Sequence, residues 1–265
     1  MSTDAGVALV TGAGRGFGRA IAEGLARAGY AVALTARTAA EVEAVAAAIR
    51  AGGGKSLALP ADVTNRQAVQ QVVSATAAHL GPVTLLVSNA GTPGPFGPLW
   101  TVDAEAWWAA QALHIRAPML LLAAVLPGMV ERHAGRIIIV SALASRMAAA
   151  HLSAYCVGKI AQTRLCEEVA LEAGPHGVAA FAIDPGFVFT QLAAQTMESP
   201  EAQRWLPGMV GRLRARQHDP GAPQELARCA ARCVALASGR YDALSGRYFE
   251  MSDDLDRLLA SVPAP

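Results

Sequence analysis

Short aliphatic segments alternate along the chain with alanine-rich stretches that have helical spacing. The aliphatic segments are apolar throughout, which is typical of strands buried on both faces of a sheet. Strict alternation of strand and helix predicts parallel crossover connections, so we expect an α/β fold: a doubly wound parallel sheet of about seven strands with helices on both faces. Strands are predicted near 7–11, 31–36, 55–60, 83–88, 135–141, 177–183 and 245–250, and a helix is predicted after each except the last.

The chain length is compatible with one domain. It has 265 residues and a mass of 27.3 kDa, and parallel α/β sheets of this size commonly form without division. We therefore expect residues 1–265 to form a single domain. A stretch at about 190–220 departs from the alternation and contains three prolines. Because insertions of this size after a strand usually cover a site, we expect a substrate lid there.

Charge and hydropathy argue against several classes of partner. The formal net charge is +1, so no strong field favours nucleic acid. The longest strongly apolar run, at 119–126, is too short to span a bilayer. The first residues lack the basic region of a signal peptide, which predicts a cytoplasmic protein. The four cysteines lack the C-x-x-C spacing of a zinc or redox site, so no metal is predicted.

The segment VALVTGAGRGFGRA, residues 7–20, runs from a strand into a helix through Gly12, Gly16 and Gly18. Glycine allows a tight turn and a close approach to a pyrophosphate, while the helix N-terminus offers free N–H groups. The spacing is GxxxGxG, not the commoner GxGxxG, and a glycine-rich structural turn is the alternative reading. The turn and its place after the first strand together favour a dinucleotide site.

The end of the second predicted strand indicates which nucleotide is bound. No Asp or Glu occurs from Gly24 through Ala40, although an NAD site usually places an acidic side chain there. Arg37, with Arg15 in the glycine turn, could instead clasp a 2′-phosphate. The alternative is that both are solvated surface arginines. We expect NADP(H) as the cofactor.

Tyr155 and Lys159 lie four residues apart on a predicted helix and so project from one face. A phenol with a pKa near 10 is a poor acid or base at neutral pH, but a neighbouring ammonium favours the phenolate. The pair is therefore a candidate for acid–base catalysis. Without the glycine turn, the same spacing on a surface helix would carry no information.

Several motifs together resemble the short-chain dehydrogenase/reductase family over nearly the whole chain. They are TGAGRGFG, ADVT at 61–64, SNAG at 88–91, YCVGK at 155–159 and DPGFVFT at 184–190. The resemblance implies a Rossmann-like fold, a nicotinamide cofactor, proton transfer by Tyr155 and, as in most members, a homotetramer. It also implies that Lys159 bonds the nicotinamide ribose. Asp62 and Val63 would contact adenine, Asn89 and Gly91 would lie beside the ribose, and Val188 and Thr190 in the Pro185–Gly186 loop would hold the carboxamide.

Two positions depart from the family pattern. The serine that usually lies thirteen residues before the tyrosine is Ala142, and the neighbouring Ser141 could reach the site only through a backbone bulge. The asparagine that anchors a water to the lysine reads as His114, which could hold that water, accept a proton, or be a satisfied core residue. His151 and Ser153 are candidate substitute donors, or exposed loop residues.

We expect an NADP(H)-dependent oxidoreductase that interconverts a ketone and a secondary alcohol on a bulky, secondary-metabolite substrate. Trp107, Trp108, Trp205, Met197 and Met209 suit a bulky apolar ligand, but core or subunit packing explains them equally well. A non-redox enzyme of the same fold, such as a cyclase, dehydratase or isomerase, is the alternative; a binding protein without turnover would not need Tyr155. The predicted catalytic residues are Tyr155, Lys159, His114 and Ser141. The predicted cofactor-binding residues are Gly12, Arg15, Gly16, Phe17, Gly18, Arg37, Asp62, Val63, Asn89, Gly91, Tyr155, Lys159, Pro185, Gly186, Val188 and Thr190.

Overall fold

The computed structural model describes residues 5–262, and its strands form one seven-stranded sheet. The order across the sheet is β3-β2-β1-β4-β5-β6-β7, and each neighbouring pair is parallel. This confirms the predicted doubly wound, Rossmann-like α/β fold. The strands are β1 Val7–Thr11, β2 Ala31–Thr35, β3 Ser56–Ala58, β4 Leu85–Ser88, β5 Gly135–Val140, β6 Val178–Ile183 and β7 Tyr248–Phe249.

Helices connect the strands and cover the sheet. They are α1 Gly16–Arg27, α2 Ala39–Ala51, α3 Arg66–Leu80, α4 Ala104–Gln111, α5 Ala117–Glu131, α6 Ser153–Ala173, α7 Gln191–Glu198, α8 Pro200–Trp205, α9 Pro207–Ala215, α10 Ala222–Ala237 and α11 Leu255–Ala260. A π-helical turn, Ala112–Arg116, joins α4 to α5. Because α11 follows β7, the expectation that no helix follows the last strand is wrong.

The last strand is shorter than the predicted segment 245–250. The hydroxyl of Ser245 accepts a hydrogen bond from the Ala180 amide, and the Gly246 amide donates to the Ala180 carbonyl. Gly246 has φ +85°, a conformation that leaves the extended region. A side-chain contact therefore replaces regular strand pairing here, and β7 begins only at Tyr248.

Alternate residues of the strands enter two separate cores. In β1, Ala8 and Val10 pack with α1, α2 and α10 on one face, whereas Leu9 packs with α3, α5 and α6 on the other. Both faces of the sheet are thus buried, which explains why the strands are apolar throughout. Helices α1 and α10 pack so closely that a Cβ on Gly24 would lie 3.0 Å from the Cβ of Ala230.

The helical stretch Ala104–Glu131 is longer than the apolar run at 119–126 suggested. Its 28 residues include a window of mean hydropathy 1.7, so by length and composition alone it could cross a membrane. In the fold it connects β4 to the adjacent strand β5, and Leu121, Val125 and Met129 are buried in the core. A core crossover helix meets the same criteria of length and composition as a membrane span.

Three short helices, α7 to α9, occupy the stretch predicted as a lid. Ala202 and Val210 from these helices pack against Phe96, and Met197 and Leu206 border the same small cluster. The stretch therefore rests on the loop after β4 through apolar contacts of its own. That it opens and closes over a substrate remains a prediction.

Candidate active site

A cleft of about 700 Å³ lies at the carboxyl ends of the parallel strands. It is beside the point where the strand order reverses: α1 leads from β1 to β2 on one face of the sheet, whereas α3 leads from β3 back to β4 on the other. This is the usual position for a ligand in such folds. Its walls come from the glycine turn, the end of β2, the loops after β4, β5 and β6, the start of α6, and helices α7 and α9. One continuous cavity thus joins the glycine turn to the predicted catalytic tyrosine.

The glycine turn leaves no room for side chains where it enters α1. A Cβ on Gly18 would lie 2.1 Å from the carbonyl oxygen of Gly12, and Gly12 itself has φ +63°. The N-cap residue of α1 makes no side-chain hydrogen bond to the first turn, which contains no acidic residue. The N–H groups of that turn are therefore suited to bind the phosphates of a dinucleotide.

Asn89, predicted to lie beside the cofactor ribose, also braces the glycine turn. Its Nδ2 donates to the carbonyls of Thr11 (2.9 Å) and Gly12 (3.3 Å). In return, the buried hydroxyl of Thr11 accepts from the amides of Asn89 (3.0 Å) and Ala90 (3.1 Å). These bonds hold the end of β4 against the end of β1. Asn89 therefore positions the glycine turn even in the absence of a ligand.

The end of β2 places Arg37 at the cleft, exposed and next to Ala36. The pKa of Asp62 is held low by hydrogen bonds from the amide and hydroxyl of Thr64, with the charge of Arg37 adding to the effect. Arg15 bonds to Glu41 at 2.9 Å instead of standing alone. Glu41 was not foreseen because it lies on the first turn of α2, beyond the strand end where an acidic residue is usually sought.

The other predicted cofactor-binding residues all line the same cleft. A Cβ on Gly16 would lie 3.3 Å from the Thr190 methyl group, so the glycine turn and the loop after β6 nearly touch. Gly186 has φ +90°, which favours glycine. These residues fit a dinucleotide. The remaining members of the set are Phe17, Val63, Gly91, Pro185 and Val188.

Tyr155 and Lys159 both line the cleft, with the Lys159 Nζ 5.6 Å from the centre of the Tyr155 ring. Burial raises the pKa of Tyr155, and the charges of Asp184 and Cys156 add to that effect. The expected lowering by Lys159 is thus not found in this arrangement, because the lysine donates elsewhere: to the Val140 carbonyl (2.9 Å) and Gln162 Oε1 (3.0 Å). Burial also lowers the pKa of Lys159 to about 7, opposed by Asp184.

His114 is fully buried in the π-helical turn, edge-on to Tyr155 with ring centres 5.6 Å apart. Burial, with the charge of Lys159 adding to it, lowers the pKa of His114 to about 3. The ring is therefore neutral at physiological pH. Its Nε2 lies 2.8 Å from the Thr92 carbonyl and must carry the proton, while its buried Nδ1 has no partner within residues 5–262. His114 is therefore not a cationic acid, and, unlike the neighbouring Leu113, it is not one of the residues that line the cleft.

Ser141 does not face the substrate side of the cleft through its hydroxyl. Its Oγ donates to the Lys159 carbonyl (3.1 Å) and lies 3.2 Å from the Thr163 hydroxyl. This orientation disfavours the catalytic role that we expected for Ser141. The register of β5 with β6 is regular through Val140, and the Ser141 amide continues the pairing to the Ile183 carbonyl, without the bulge that the role required. Ser141 and Ala142 both line the cleft, but neither offers it a free hydroxyl. The candidate substitutes are also engaged elsewhere: Ser153 accepts from Trp107, and the His151 ring packs on Trp205.

Among the side chains proposed for a bulky ligand, Met209 lines the cleft. The rest of this end is mainly apolar, with Phe96, Leu143, Leu152 and Leu213 contributing. Sequence reasoning missed Asp184 and Gln162. A glutamine three residues after Lys159, on the same face of the predicted helix, was the available signal for the second.

The comparisons with known proteins agree with this geometry. A family model described as short chain dehydrogenase matches residues 6–201. The chain belongs to the short-chain dehydrogenase/reductase family. It is 35% identical over 255 residues to a short chain dehydrogenase of Pseudocercospora fijiensis (strain CIRAD86), covering 95% of this chain and 82% of that one. It is also 35% identical over 228 residues to the short-chain reductase protein NovJ of Streptomyces niveus, covering 83% and 84% of the two chains.

Solved structures place this short-chain dehydrogenase/reductase in the same family. A metagenomic short-chain oxidoreductase, crystallised in complex with NADP, is 30% identical with a TM-score of 0.72, covering 90% of this chain and 92% of that one. The predicted family is confirmed, and with it membership of a family of oxidoreductases. The NADP is bound by that relative.

Gly18→Ala tests the glycine turn directly. The added Cβ collides with the Gly12 carbonyl, so the turn must open and NADPH should bind roughly tenfold more weakly or worse, a loss of about 1.4 kcal/mol. Gly174→Ala is the matched control, since a Cβ there meets no atom within 4 Å. Fluorescence titration with NADPH measures both. Equal affinities of the two variants would show that the turn does not hold the nucleotide.

Proposed function

We propose that this short-chain dehydrogenase/reductase is an NADP(H)-dependent enzyme that interconverts a ketone and a secondary alcohol. The observation that carries the proposal is the single cleft, which is lined at one end by the glycine turn and at the other by Tyr155 and Lys159. A dinucleotide held at the turn would extend along the strand ends towards Tyr155. The names of the relatives, a dehydrogenase and a reductase, support the same reaction class.

The residues of the cleft divide the chemistry between them. A nicotinamide cofactor bound in the cleft would supply the hydride that adds to the carbonyl carbon, or take up the hydride that leaves the alcohol carbon. Tyr155 gives its phenolic proton to the carbonyl oxygen in reduction, or takes one from the alcohol in oxidation. Lys159 holds the cofactor ribose and supplies positive charge near the phenol. Its pKa of about 7 means that a bound anionic cofactor can readily keep it protonated at neutral pH.

Arg37 supports the preference for NADP(H). It is exposed at the end of β2, where the chain offers no carboxylate from Gly24 through Ala40. Glu41 complicates this preference because it already pairs with Arg15. Arg37 therefore provides the main interaction with a 2′-phosphate, and Arg15 joins it only by leaving Glu41.

The apolar far end of the cleft supports a bulky substrate. Phe96, Leu143, Leu152 and Met209 favour a ring system or long aliphatic group over a small polar sugar. We propose that such a substrate comes from secondary metabolism.

One observation favours a second candidate function. Ala142 faces the cleft where the family places a hydroxyl, and the Ser141 hydroxyl is bonded to α6. A carbonyl oxygen would thus be held by Tyr155 with one donor fewer, and losing such a donor typically costs about 100- to 1000-fold in rate. A cyclase, dehydratase or isomerase, which uses Tyr155 only to move protons, tolerates that loss more readily.

We further propose that the enzyme is a cytoplasmic homotetramer. Large apolar side chains are exposed on neighbouring helices α4, α5 and α6, and such surfaces commonly mark contacts between proteins. They are Trp108, Met119, Val157 and Ile160. Light scattering should give a mass four times that of the 27.3 kDa chain, and Ile160→Asp should give smaller species. A wild-type protein with the mass of one chain would contradict the proposal.

Tyr155→Phe removes the proton donor and leaves the ring. We expect NADPH oxidation with a panel of bulky ketones to fall about 100- to 10,000-fold, while NADPH affinity stays nearly unchanged. Tyr30→Phe is the matched control, because that buried phenol lies away from the cleft and, among residues 5–262, donates its hydrogen bond to the Ala237 carbonyl alone. Turnover of Tyr155→Phe at the wild-type rate would remove Tyr155 from the mechanism.

Arg37→Ala tests the choice of nucleotide. Loss of a charge-assisted bond to the 2′-phosphate, worth about 1.5–3 kcal/mol, should raise the dissociation constant of NADPH roughly 10- to 150-fold. The constant for NADH should change little. Arg50→Ala is the control for lost surface charge, because it removes an exposed arginine that pairs with Glu43 on α2. Equal weakening of NADPH and NADH by Arg37→Ala would contradict the NADP(H) preference.

A further inference from the structure

Gln162 is a buried polar residue that the proposed reaction leaves without a role. It lies on α6, is only 1% exposed, and is three residues after Lys159. Burial of a glutamine is unfavourable unless both its Oε1 and its Nε2 form hydrogen bonds. Both of its amide atoms have partners: one is Lys159, which lines the cleft, and the other is the main chain of His114 in the π-helical turn.

The two bonds of Gln162 bridge two elements. Its Oε1 accepts from the Lys159 Nζ at 3.0 Å, and its Nε2 donates to the main-chain carbonyl of His114 at 3.0 Å. An ammonium only donates and a main-chain carbonyl only accepts, so the amide has one orientation that satisfies both. The bridge ties the amino group of Lys159 to the π-helical turn, which also holds the His114 ring against Tyr155.

We propose that Gln162 is a positioning residue for Lys159. The Gln162 amide holds the ammonium group in place by linking it to the main-chain carbonyl of His114. This inference deepens the proposed function, because Lys159 is the group that serves both the cofactor and Tyr155. An ammonium has three N–H donors. Within the described chain, Val140 and Gln162 accept two of them, and the third is left for a ligand in the cleft that Lys159 lines. With two directions fixed, the third is no longer free to rotate.

Other charged and titratable groups around Lys159 cannot replace this bridge. Asp184 raises the pKa of Lys159 by its charge but forms no ion pair with it within 4.0 Å in residues 5–262. His114 is neutral because burial lowers its pKa to about 3. The Tyr155 ring centre lies 5.6 Å from the amino group. The acceptors that do bond to the ammonium are therefore neutral, one from the main chain and one from Gln162.

The chain contains only two lysines, Lys55 and Lys159, so the ionisation of Lys159 can be followed directly. Protein labelled with [ε-¹³C]lysine gives two titrating signals by NMR. Lys55 is exposed and assigned with Lys55→Arg. The titration needs neither cofactor nor substrate, so its result stands whether or not the protein reduces ketones. Failure of this inference is thereby separated from failure of the proposed function.

Two variants of opposite character test the bridge. In Gln162→Met the acceptor is lost, so the charged form of Lys159 is less stable and its pKa should fall by about one pH unit. In Gln162→Glu a nearly isosteric carboxylate faces the ammonium, and the pKa of Lys159 should rise by about one pH unit or more. The opposite directions cannot arise from a general loosening of α6, which would move both variants the same way.

Gln111→Met is the matched control. Gln111 is also a buried glutamine, 2% exposed, and its Nε2 ties α4 to α6 through the Ala154 carbonyl at 2.9 Å without contacting Lys159. Its loss should leave the titration of Lys159 unchanged. Shifts of opposite sign in the two Gln162 variants, absent in Gln111→Met, support the proposal. No shift in either Gln162 variant, shifts of the same sign in both, or an equal shift in Gln111→Met would overturn it.

Discussion

Parallel pairing of β1 with both β2 and β4 is the constraint on which the structure depends. Parallel neighbours can be joined only by crossover connections: α1 leads from β1 to β2 on one face, and α3 leads from β3 to β4 on the other, so helices cover both faces of the sheet. Both faces must then be apolar, and the carboxyl ends of the strands are the place left for polar chemistry. The glycine turn, Asn89, Tyr155 and Lys159 all lie at that edge.

The second constraint is the burial of an amino group. Lys159 is 4% exposed, and its charge is stabilised by carbonyl groups and by the more distant Asp184 rather than by a salt bridge. Burial of the same region keeps His114 neutral and the phenol of Tyr155 protonated. The ammonium of Lys159 therefore has no bonded negative charge among the described residues, and a phosphate-bearing nucleotide would supply one nearby.

Local patterns were sufficient to predict the sheet and the glycine turn. The strands were readable because they are buried on both faces, and the glycine turn was readable because its spacing is local: Gly12 has a positive φ, and a Cβ on Gly18 would meet the Gly12 carbonyl six residues earlier. The last predicted strand was too long because Ser245 substitutes a side-chain bond for strand pairing, which no periodicity reveals.

Contacts between distant segments were beyond the reach of those patterns. The Ser141 hydroxyl turns towards α6, where it bonds to the Lys159 carbonyl. Arg15 forms an ion pair with Glu41 on a neighbouring helix. The link from Gln162 to His114 spans 48 residues. Such pairings depend on how helices are placed across the sheet, whereas sequence spacing reports only on residues within one element.

The reaction itself provides the most direct test of the account. The purified enzyme is incubated with NADPH carrying deuterium at the transferable position and with a panel of bulky ketones, and the products are examined by mass spectrometry and NMR. We expect an alcohol with deuterium on the carbinol carbon and an equal amount of oxidised nucleotide. A rearranged or dehydrated product without deuterium, formed while NADPH remains unoxidised, would contradict the account.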